Sequence, residues 1–169
     1  MNLPSRSDNF ISVVQSHKGI IYKIANSYCK DPEDRKDLVQ EVILQLWNSF
    51  DKYRDQFKYS TWIYRIALNT AISFYRKQRR RTEASSPFSD EILFIANPLN
   101  DIETDEKLLL LQKFIFELRQ LDKALMLLYL DEKSYKEIAD VMGISESNVA
   151  TKISRIKIIL KEKFLHVKL

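Results

Sequence analysis

The chain has 169 residues, a formal net charge of +4 and a hydrophobic fraction of 45%, which is enough to bury a core in one ordinary domain or two small ones. Two glycines and four prolines are too few turn-forming residues for a β-sandwich or a glycine-cradled phosphate site. A single cysteine excludes an internal disulfide and a zinc site built from several cysteines. We expect a soluble, mostly helical protein of a reducing compartment, with no membrane-spanning segment and no signal peptide.

Charge is distributed unevenly along the chain. Residues 57–81 carry seven basic side chains and no acidic one, whereas residues 82–107 carry seven acidic side chains and one lysine. Residues 145–169 carry six basic and two acidic side chains. A charge run by itself is usually a solvated face, but two basic blocks on two separate helices predict two contacts with a polyanion.

The first half of the chain predicts three helices. Apolar residues recur at three- and four-residue steps from Phe10 to Tyr28, which indicates one amphipathic helix with His17 packed on its apolar stripe. Pro32 suits the first turn of a second helix, and a third is expected to start near Ser60-Thr61, either of which can cap it, and to run towards Arg81. The expected core side of this third helix consists of Ile63, Ile66, Ala67, Thr70 and Phe74.

Helical periodicity fails between residues 82 and 104, where serines, prolines and acidic residues accumulate. A loop of that length is unusual inside a compact domain and therefore argues for two domains. The expected fold is all-α, with two small helical domains over residues 1–81 and 105–169. A flexible acidic linker over residues 82–104, which allows a short helical turn at Ile92–Ile95, joins them.

The C-terminal domain carries a helix-turn-helix pattern. Ser134–Glu137 forms a capping box that opens a short helix, Gly143 accepts the left-handed backbone that ends it, and Ser145 caps the next helix. The spacing from Ala139 through Gly143 to Val149 provides a small residue for close approach, the turn glycine and the first core residue of the second helix.

The outer face of that second helix carries amide, hydroxyl and guanidinium groups, which can reach base edges and phosphates in the major groove of DNA. An ordinary helical hairpin with a polar outer face is the alternative. The candidate residues are Ser147, Asn148, Ala150, Thr151, Lys152 and Arg155.

A second nucleic-acid surface is predicted on the third helix and the loop before it. Cations that follow a backbone, beside aromatic rings on which unstacked bases can lie, suit single-stranded nucleic acid. Trp62 or Tyr59 could instead belong to the core. The candidate residues are Lys58, Tyr59, Ser60, Thr61, Trp62, Arg65, Asn69, Arg76, Lys77 and Arg80.

The second predicted helix has a leucine on the side opposite its apolar stripe. Leu44 is surrounded there by carboxylates and amides, on a helix whose polar and apolar residues are otherwise well separated. Such a leucine is a candidate anchor for a partner protein. This face consists of Asp37, Gln40, Glu41, Leu44 and Asn48.

Three segments, in this order, closely resemble bacterial sigma factors of the extracytoplasmic-function (ECF) group. They are Asp37–Trp47, Thr61–Asn69 with its basic continuation to Arg81, and Ser134–Gly143 continuing to Lys157. The resemblance implies a bacterial, cytoplasmic transcription initiation subunit that is not an enzyme and needs no cofactor or metal. Sigma region 2 would occupy residues 1–81 and sigma region 4 residues 105–169.

The resemblance also implies partners. The Asp37–Trp47 helix would dock on the clamp coiled coil of RNA polymerase core, and region 4 would meet the polymerase flap. Lys58–Trp62 and the Arg65–Arg80 face would recognise and melt the −10 promoter element and hold a flipped base, while the helix after Ser145 would read the −35 element. The acidic linker would pass near the RNA exit path, and an anti-sigma factor is a further expected partner.

Two other classes compete with this interpretation. A helix-turn-helix regulator that binds duplex DNA without polymerase would explain the C-terminal domain, but not the aromatic and basic segment, Leu44 or the linker. An enzyme is disfavoured because His17 and His166 lie far apart in the sequence and show no metal-binding spacing.

Overall fold

A computed structural model of the chain describes residues 3–84 and 105–167, with the side chains of residues 82–84 excepted. Every regular element in these two ranges is helical, as expected for an all-α protein. None of the described helices is both long and apolar enough to cross a membrane. The helices are α1 (Arg6–Ser16), α2 (Lys18–Tyr28), α3 (Pro32–Ser49), α4 (Tyr59–Ala84), α5 (Glu106–Phe116), α6 (Gln120–Leu130), α7 (Tyr135–Met142) and α8 (Glu146–Leu165), and a 3-10 turn, Phe50–Lys52, follows α3.

The chain divides into two compact units, the first built mainly on α1–α4 and the second on α5–α8. Most of the predicted linker at residues 82–104, including the turn at Ile92–Ile95, lies outside the described residues. The boundaries predicted for the two domains, 1–81 and 105–169, stay predictions.

In the first unit, α2 and α3 pack against each other and contribute much of the core. Asp31 caps α3 by accepting the backbone N–H groups of Glu33 and Asp34, and Pro32 occupies the first turn as predicted. Burial raises the pKa of the Tyr28 phenol above its ordinary range. The residues of α2 and α3 with almost no exposed surface include Ile21, Ile24, Ala25, Tyr28, Leu38, Val42 and Leu46.

The single helix predicted from Phe10 to Tyr28 is wrong, because two helices meet at His17. The backbone of His17 leaves the helical region at φ −122° and ψ 14°, and its N–H donates to the Val14 carbonyl at 3.1 Å. The apolar repeat continues across this break, so periodicity alone could not reveal it. His17 is half-buried, with Nδ1 2.9 Å from the Val13 carbonyl oxygen, which fits the packed role that was predicted for it.

The start and the buried side of α4 also differ from the prediction. The Trp62 N–H donates to the Lys58 carbonyl at 3.1 Å, so the helix begins at Tyr59. Ser60 and Thr61 therefore lie inside its first turn and do not cap it. The buried stripe lies further round the helix than predicted. It consists of pairs of neighbouring residues that repeat about once per turn. The stripe comprises Ile63, Tyr64, Ala67, Leu68, Ala71 and Ile72, while Ile66, Thr70 and Phe74 are only half-buried.

The helix-turn-helix predicted in the second unit is confirmed. The Ser134 hydroxyl accepts the Glu137 N–H at 3.1 Å while the Glu137 carboxylate accepts the Ser134 N–H at 2.8 Å. Gly143 ends α7 at φ +68°, and Ser145 caps α8 by accepting the Asn148 N–H. Helical spacing predicts a core side of α8 at Val149, Ile153, Ile156, Leu160 and Phe164; the first four are buried and Phe164 is half-buried.

Two lysines of α8 bind side chains of other segments of the second unit. Lys157 donates to the Tyr129 hydroxyl at 2.6 Å, a bond that raises the pKa of the lysine. Lys163 pairs with Glu117 at 2.7 Å.

Lys123 of α6 is fully buried, and its Nζ lies 4.1 Å from the centre of the Phe116 ring. The sequence pattern did not predict this placement.

Replacing Gly143 with alanine should destabilise the protein by about 1–2 kcal/mol, because a left-handed backbone is costly for a residue with a Cβ. No neighbouring atom lies within 4 Å of the added Cβ, so backbone conformation is the only source of the loss. Gly19→Ala is the matched control: Gly19 is the second residue of α2, with equal free space and no left-handed backbone, so alanine there should change stability by no more than about 0.5 kcal/mol. Urea unfolding followed by circular dichroism measures both. Equal effects of the two substitutions would contradict this account of the turn.

Candidate nucleic-acid and partner interfaces

The reading face predicted on α8 lies opposite its buried side. Ser147, Asn148, Thr151 and Arg155 are exposed, while Ala150 and Lys152 are half-buried. The Thr151 hydroxyl donates to the Ser147 carbonyl at 3.0 Å, which leaves its oxygen lone pairs and its methyl group for a ligand. The face therefore offers an amide suited to adenine at Asn148 and a guanidinium suited to guanine or phosphate at Arg155.

The basic face of α4 extends over the middle and later turns of the helix, from Arg65 to Arg80. Arg65 is half-buried, with its guanidinium 5.4 Å from the Phe57 ring centre, while Asn69, Arg76, Lys77 and Arg80 are exposed. At 1.5 Å per residue, the distance along the axis from Arg65 to Arg80 is about 22 Å. Lys58, just before the helix, is exposed as well. Cations at this spacing on a rigid helix can follow a nucleic-acid backbone over several nucleotides.

Trp62 belongs to a cluster of four rings that we call the aromatic wall: Phe50, Tyr53, Tyr59 and Trp62. The Trp62 ring centre lies 5.4 Å from that of Tyr53, 6.2 Å from Phe50 and 6.3 Å from Tyr59. Tyr53 and Tyr59 are stacked at 4.2 Å. All four rings are half-buried. Trp62 is therefore neither a fully buried core residue nor a free ring, and part of it remains available for stacking.

Two members of the aromatic wall, Phe50 and Tyr53, were not among the predicted site residues. Tyr53 donates its hydroxyl proton to the Phe57 carbonyl, which fixes the segment before α4. Partial burial, with Asp55 and Tyr59 as smaller contributors, raises the pKa of the Tyr53 phenol. The run of aromatics from Phe50 to Tyr59 was visible in the sequence, but which rings meet depends on how the chain turns after α3.

The α3 face predicted to bind a partner is open to solvent, and we call it the docking face: Asp37, Gln40, Glu41, Leu44 and Asn48. Leu44 is 50% exposed, and only Glu41 is half-buried. The Glu41 carboxylate accepts a hydrogen bond from Gln45 at 2.9 Å. Leu44 thus lies on an exposed polar face, while Leu46, two residues further on, is fully buried.

The described residues contain no group of three or more histidines, cysteines, aspartates or glutamates that could hold a metal ion. A helix-turn-helix with an exposed polar reading face, together with a helical unit that presents cations and aromatic rings, defines a two-unit DNA-binding protein.

Comparison with known proteins identifies the family. The model of Sigma-70 region 2 matches residues 13–81, and that of Sigma-70, region 4 matches residues 108–160. RNA polymerase sigma factor SigV of Bacillus subtilis is 28% identical over 146 residues, which span 86% of this chain and 84% of SigV. The ECF RNA polymerase sigma-E factor of Escherichia coli K12 is 32% identical over 132 residues, 72% of this chain and 69% of that protein.

A solved structure has the same fold: the sigma factor RpoE in complex with the anti-sigma factor NepR from Bartonella quintana. The match has a TM-score of 0.73 and 19% identity, and covers 95% of this chain and 99% of the other. The chain belongs to the sigma-70 family, in its extracytoplasmic-function group. It is accordingly a transcription initiation factor, and members of this family are not enzymes.

Proposed function

We propose that this chain directs RNA polymerase core to specific promoters, with α8 reading the −35 element and α4 recognising and melting the −10 element. The observation that carries the proposal is the difference between the two exposed surfaces. One is a polar reading face on a helix-turn-helix, suited to intact duplex, and the other combines cations with a half-exposed aromatic wall, suited to separated strands. Region 2 then occupies residues 1–81 and region 4 residues 105–169, and the chain works in the bacterial cytoplasm.

At the −35 element, Asn148 and Arg155 are the side chains best suited to base readout. Ser147 and Thr151, one turn apart, add hydroxyl groups to the same face. Lys152 is half-buried, so its ammonium is best placed for the phosphates at the edge of the groove. Ala150 offers only a methyl group, which can contact the methyl of thymine.

At the −10 element, cations and rings have separate tasks. Arg76, Lys77 and Arg80 bind phosphates along α4, while Arg65 and Asn69 lie nearer the aromatic wall on the same helix. Trp62 offers its open part to a base that has left the stack, and Lys58, Ser60 and Thr61 surround this position with polar groups. Stacking on the aromatic wall offsets only part of the free energy that unpairing costs. Opening is therefore favoured at the DNA steps that cost least to unstack.

Docking on polymerase uses the docking face, with Leu44 as its anchor against the clamp coiled coil, and the second unit meets the flap. A solved relative is described in complex with an anti-sigma factor. By extension, we propose that an anti-sigma factor binds this chain too and competes with polymerase. The acidic linker over residues 82–104 passes near the RNA exit path, where its negative charge suits a channel that otherwise accepts RNA.

Leu44→Asp should abolish docking while leaving the fold intact. A change at an exposed position usually alters stability by no more than about 0.5 kcal/mol, whereas a carboxylate buried at the centre of an interface should weaken binding by several kcal/mol. Affinity for core polymerase and melting temperature measure the two effects. Ile11→Asp, also 50% exposed in the first unit, is the control and should bind core normally. Core binding by Leu44→Asp at wild-type affinity would remove the docking face from the proposal.

Alanine at Asn148, Thr151 and Arg155 together should change which −35 sequences are preferred. Each lost base contact should cost about 1–3 kcal/mol, and the folded state should persist because all three side chains are exposed. A panel of promoters that differ only in the −35 element gives the ranking, and Lys161→Ala, exposed further along α8, is the control. An unchanged promoter ranking for the triple variant would show that α8 does not read the element.

Trp62→Ala should impair promoter opening more than initial capture of the duplex, because stacking on an aromatic ring contributes about 1–3 kcal/mol per base. Transcription from a promoter that is already unpaired at −10 should recover most of the loss, and Trp62→Phe, which keeps an aromatic face, should open the duplex better than the alanine variant. If the unpaired promoter restores nothing, Trp62 supports the fold and does not hold a base.

A further inference from the structure

Arg6 joins the start of α1 to the end of α3 through three contacts. Its guanidinium lies over the Trp47 ring, 3.8 Å from the ring centre, and its Nε donates to Asp51 Oδ1 at 2.8 Å. Its Nη2 donates to the Trp47 carbonyl at 3.2 Å. An exposed ion pair alone contributes little. Here, however, one guanidinium is held by a carboxylate, by an indole and by a carbonyl at a helix C-terminus, which together fix its orientation.

The contacts of Arg6 continue into the aromatic wall. Phe10, on the same helix, packs edge-on against Trp47 at 5.0 Å and against Phe50 at 5.3 Å. Phe50 in turn lies 6.2 Å from Trp62. Phe10 is only 7% exposed, so the link between α1 and the wall is a packed contact without intervening solvent. Asp51 directly follows Phe50, so Arg6 also holds the backbone on which Phe50 is carried.

Arg6 and Phe10 both lie ahead of residue 13, where the match to Sigma-70 region 2 begins. The packing around the aromatic wall thus includes residues outside the matched segment. On the basic face of α4, Arg76, Lys77 and Arg80 are exposed, whereas the Arg6 guanidinium is directed towards Trp47 and Asp51. Its contacts indicate that it acts through neighbouring residues.

We propose that Arg6 is a positioning residue for promoter opening: it holds Phe50, and through Phe50 it holds Trp62, in the orientation that receives an unstacked base. The inference rests on the proposed role of Trp62 in opening the −10 element. Loss of Arg6 would release one side of the wall without removing any group that touches DNA. Its effect on opening must therefore depend on the presence of Trp62, whereas a phosphate contact or general support of the fold would act independently of Trp62.

A double-mutant cycle with Arg6→Ala and Trp62→Ala tests this dependence. Holoenzyme is assembled with core polymerase, and the opening rate is followed by the fluorescence of 2-aminopurine placed in the −10 element. We expect Arg6→Ala to slow opening of the duplex at least threefold, with unchanged core affinity and full recovery on a promoter already unpaired at −10. In the Trp62→Ala background, Arg6→Ala should slow opening no further.

Arg119→Ala is the matched control, since it removes an exposed arginine paired with Asp122 at 3.2 Å in the second unit and should open promoters at the wild-type rate. If Arg6→Ala lowers the melting temperature, Asp51→Ala takes its place, because the Asp51 side chain is 69% exposed and its loss breaks the same pair. This variant should likewise slow opening only when Trp62 is present.

Opening at the wild-type rate by the Arg6 variant, while Trp62→Ala is slow, overturns this inference and leaves the proposed function intact. The same slowing factor in both backgrounds also overturns it, because Arg6 would then act independently of Trp62. Normal opening by Trp62→Ala overturns both the role of the aromatic wall and the positioning role of Arg6.

Discussion

Burial of one side of α4 fixes where its other side points. Ile63, Ala67 and Ala71 have no exposed surface, so this 26-residue helix cannot rotate about its axis without breaking the core of the first unit. The cations on the opposite side are thereby held in a row before any ligand binds, so binding does not require the helix to reorient. The placement of the surface that we propose for the −10 element therefore depends on this apolar contact.

In the second unit, short-range capping interactions fix the direction of the helix that carries the recognition groups. A capping box opens α7, a left-handed glycine ends it, and a serine cap starts α8 two residues after that glycine. Each of these groups satisfies backbone atoms that a helix end would otherwise leave unpaired. Together they set the direction in which α8 leaves the turn, and with it the position of Asn148 and Arg155. The two units thus position their recognition groups differently, one through a long buried stripe and the other through a short capped turn.

How far the sequence predicts the structure depends on how local the signals are. Ser134, Gly143 and Ser145 act on atoms within a few residues, and the helix-turn-helix was predicted correctly. The break at His17 was missed because the apolar repeat continues through it, and the start of α4 was placed slightly late because Ser60 and Thr61, which suit a cap, lie inside its first turn. Lys123 and the aromatic wall could not be predicted, since their environments are made by residues distant in the sequence.

For the candidate sites too, features set by local sequence could be predicted, whereas contacts between distant residues could not. Exposure of Leu44 and of the reading face on α8 follows from helical periodicity alone, and the structure places both on open surfaces. The contacts of Trp62 with Phe50 and Tyr53, and those of Arg6 with Trp47, require the turn after α3. A base-stacking role for these aromatic residues could be proposed from the sequence, but the contacts that support the rings were visible only in the structure.

The proposed function is that this chain confers promoter choice on RNA polymerase through both of its surfaces. The most direct measurement is transcription by purified bacterial core polymerase, with and without the chain, from a library of randomised promoters whose RNA 5′ ends are sequenced. We expect transcripts that depend on the chain and start a fixed distance downstream of one shared pair of −35 and −10 sequences. Sequence-specific binding of the chain to duplex DNA, without any transcript that depends on it, would instead identify a regulator that works without polymerase.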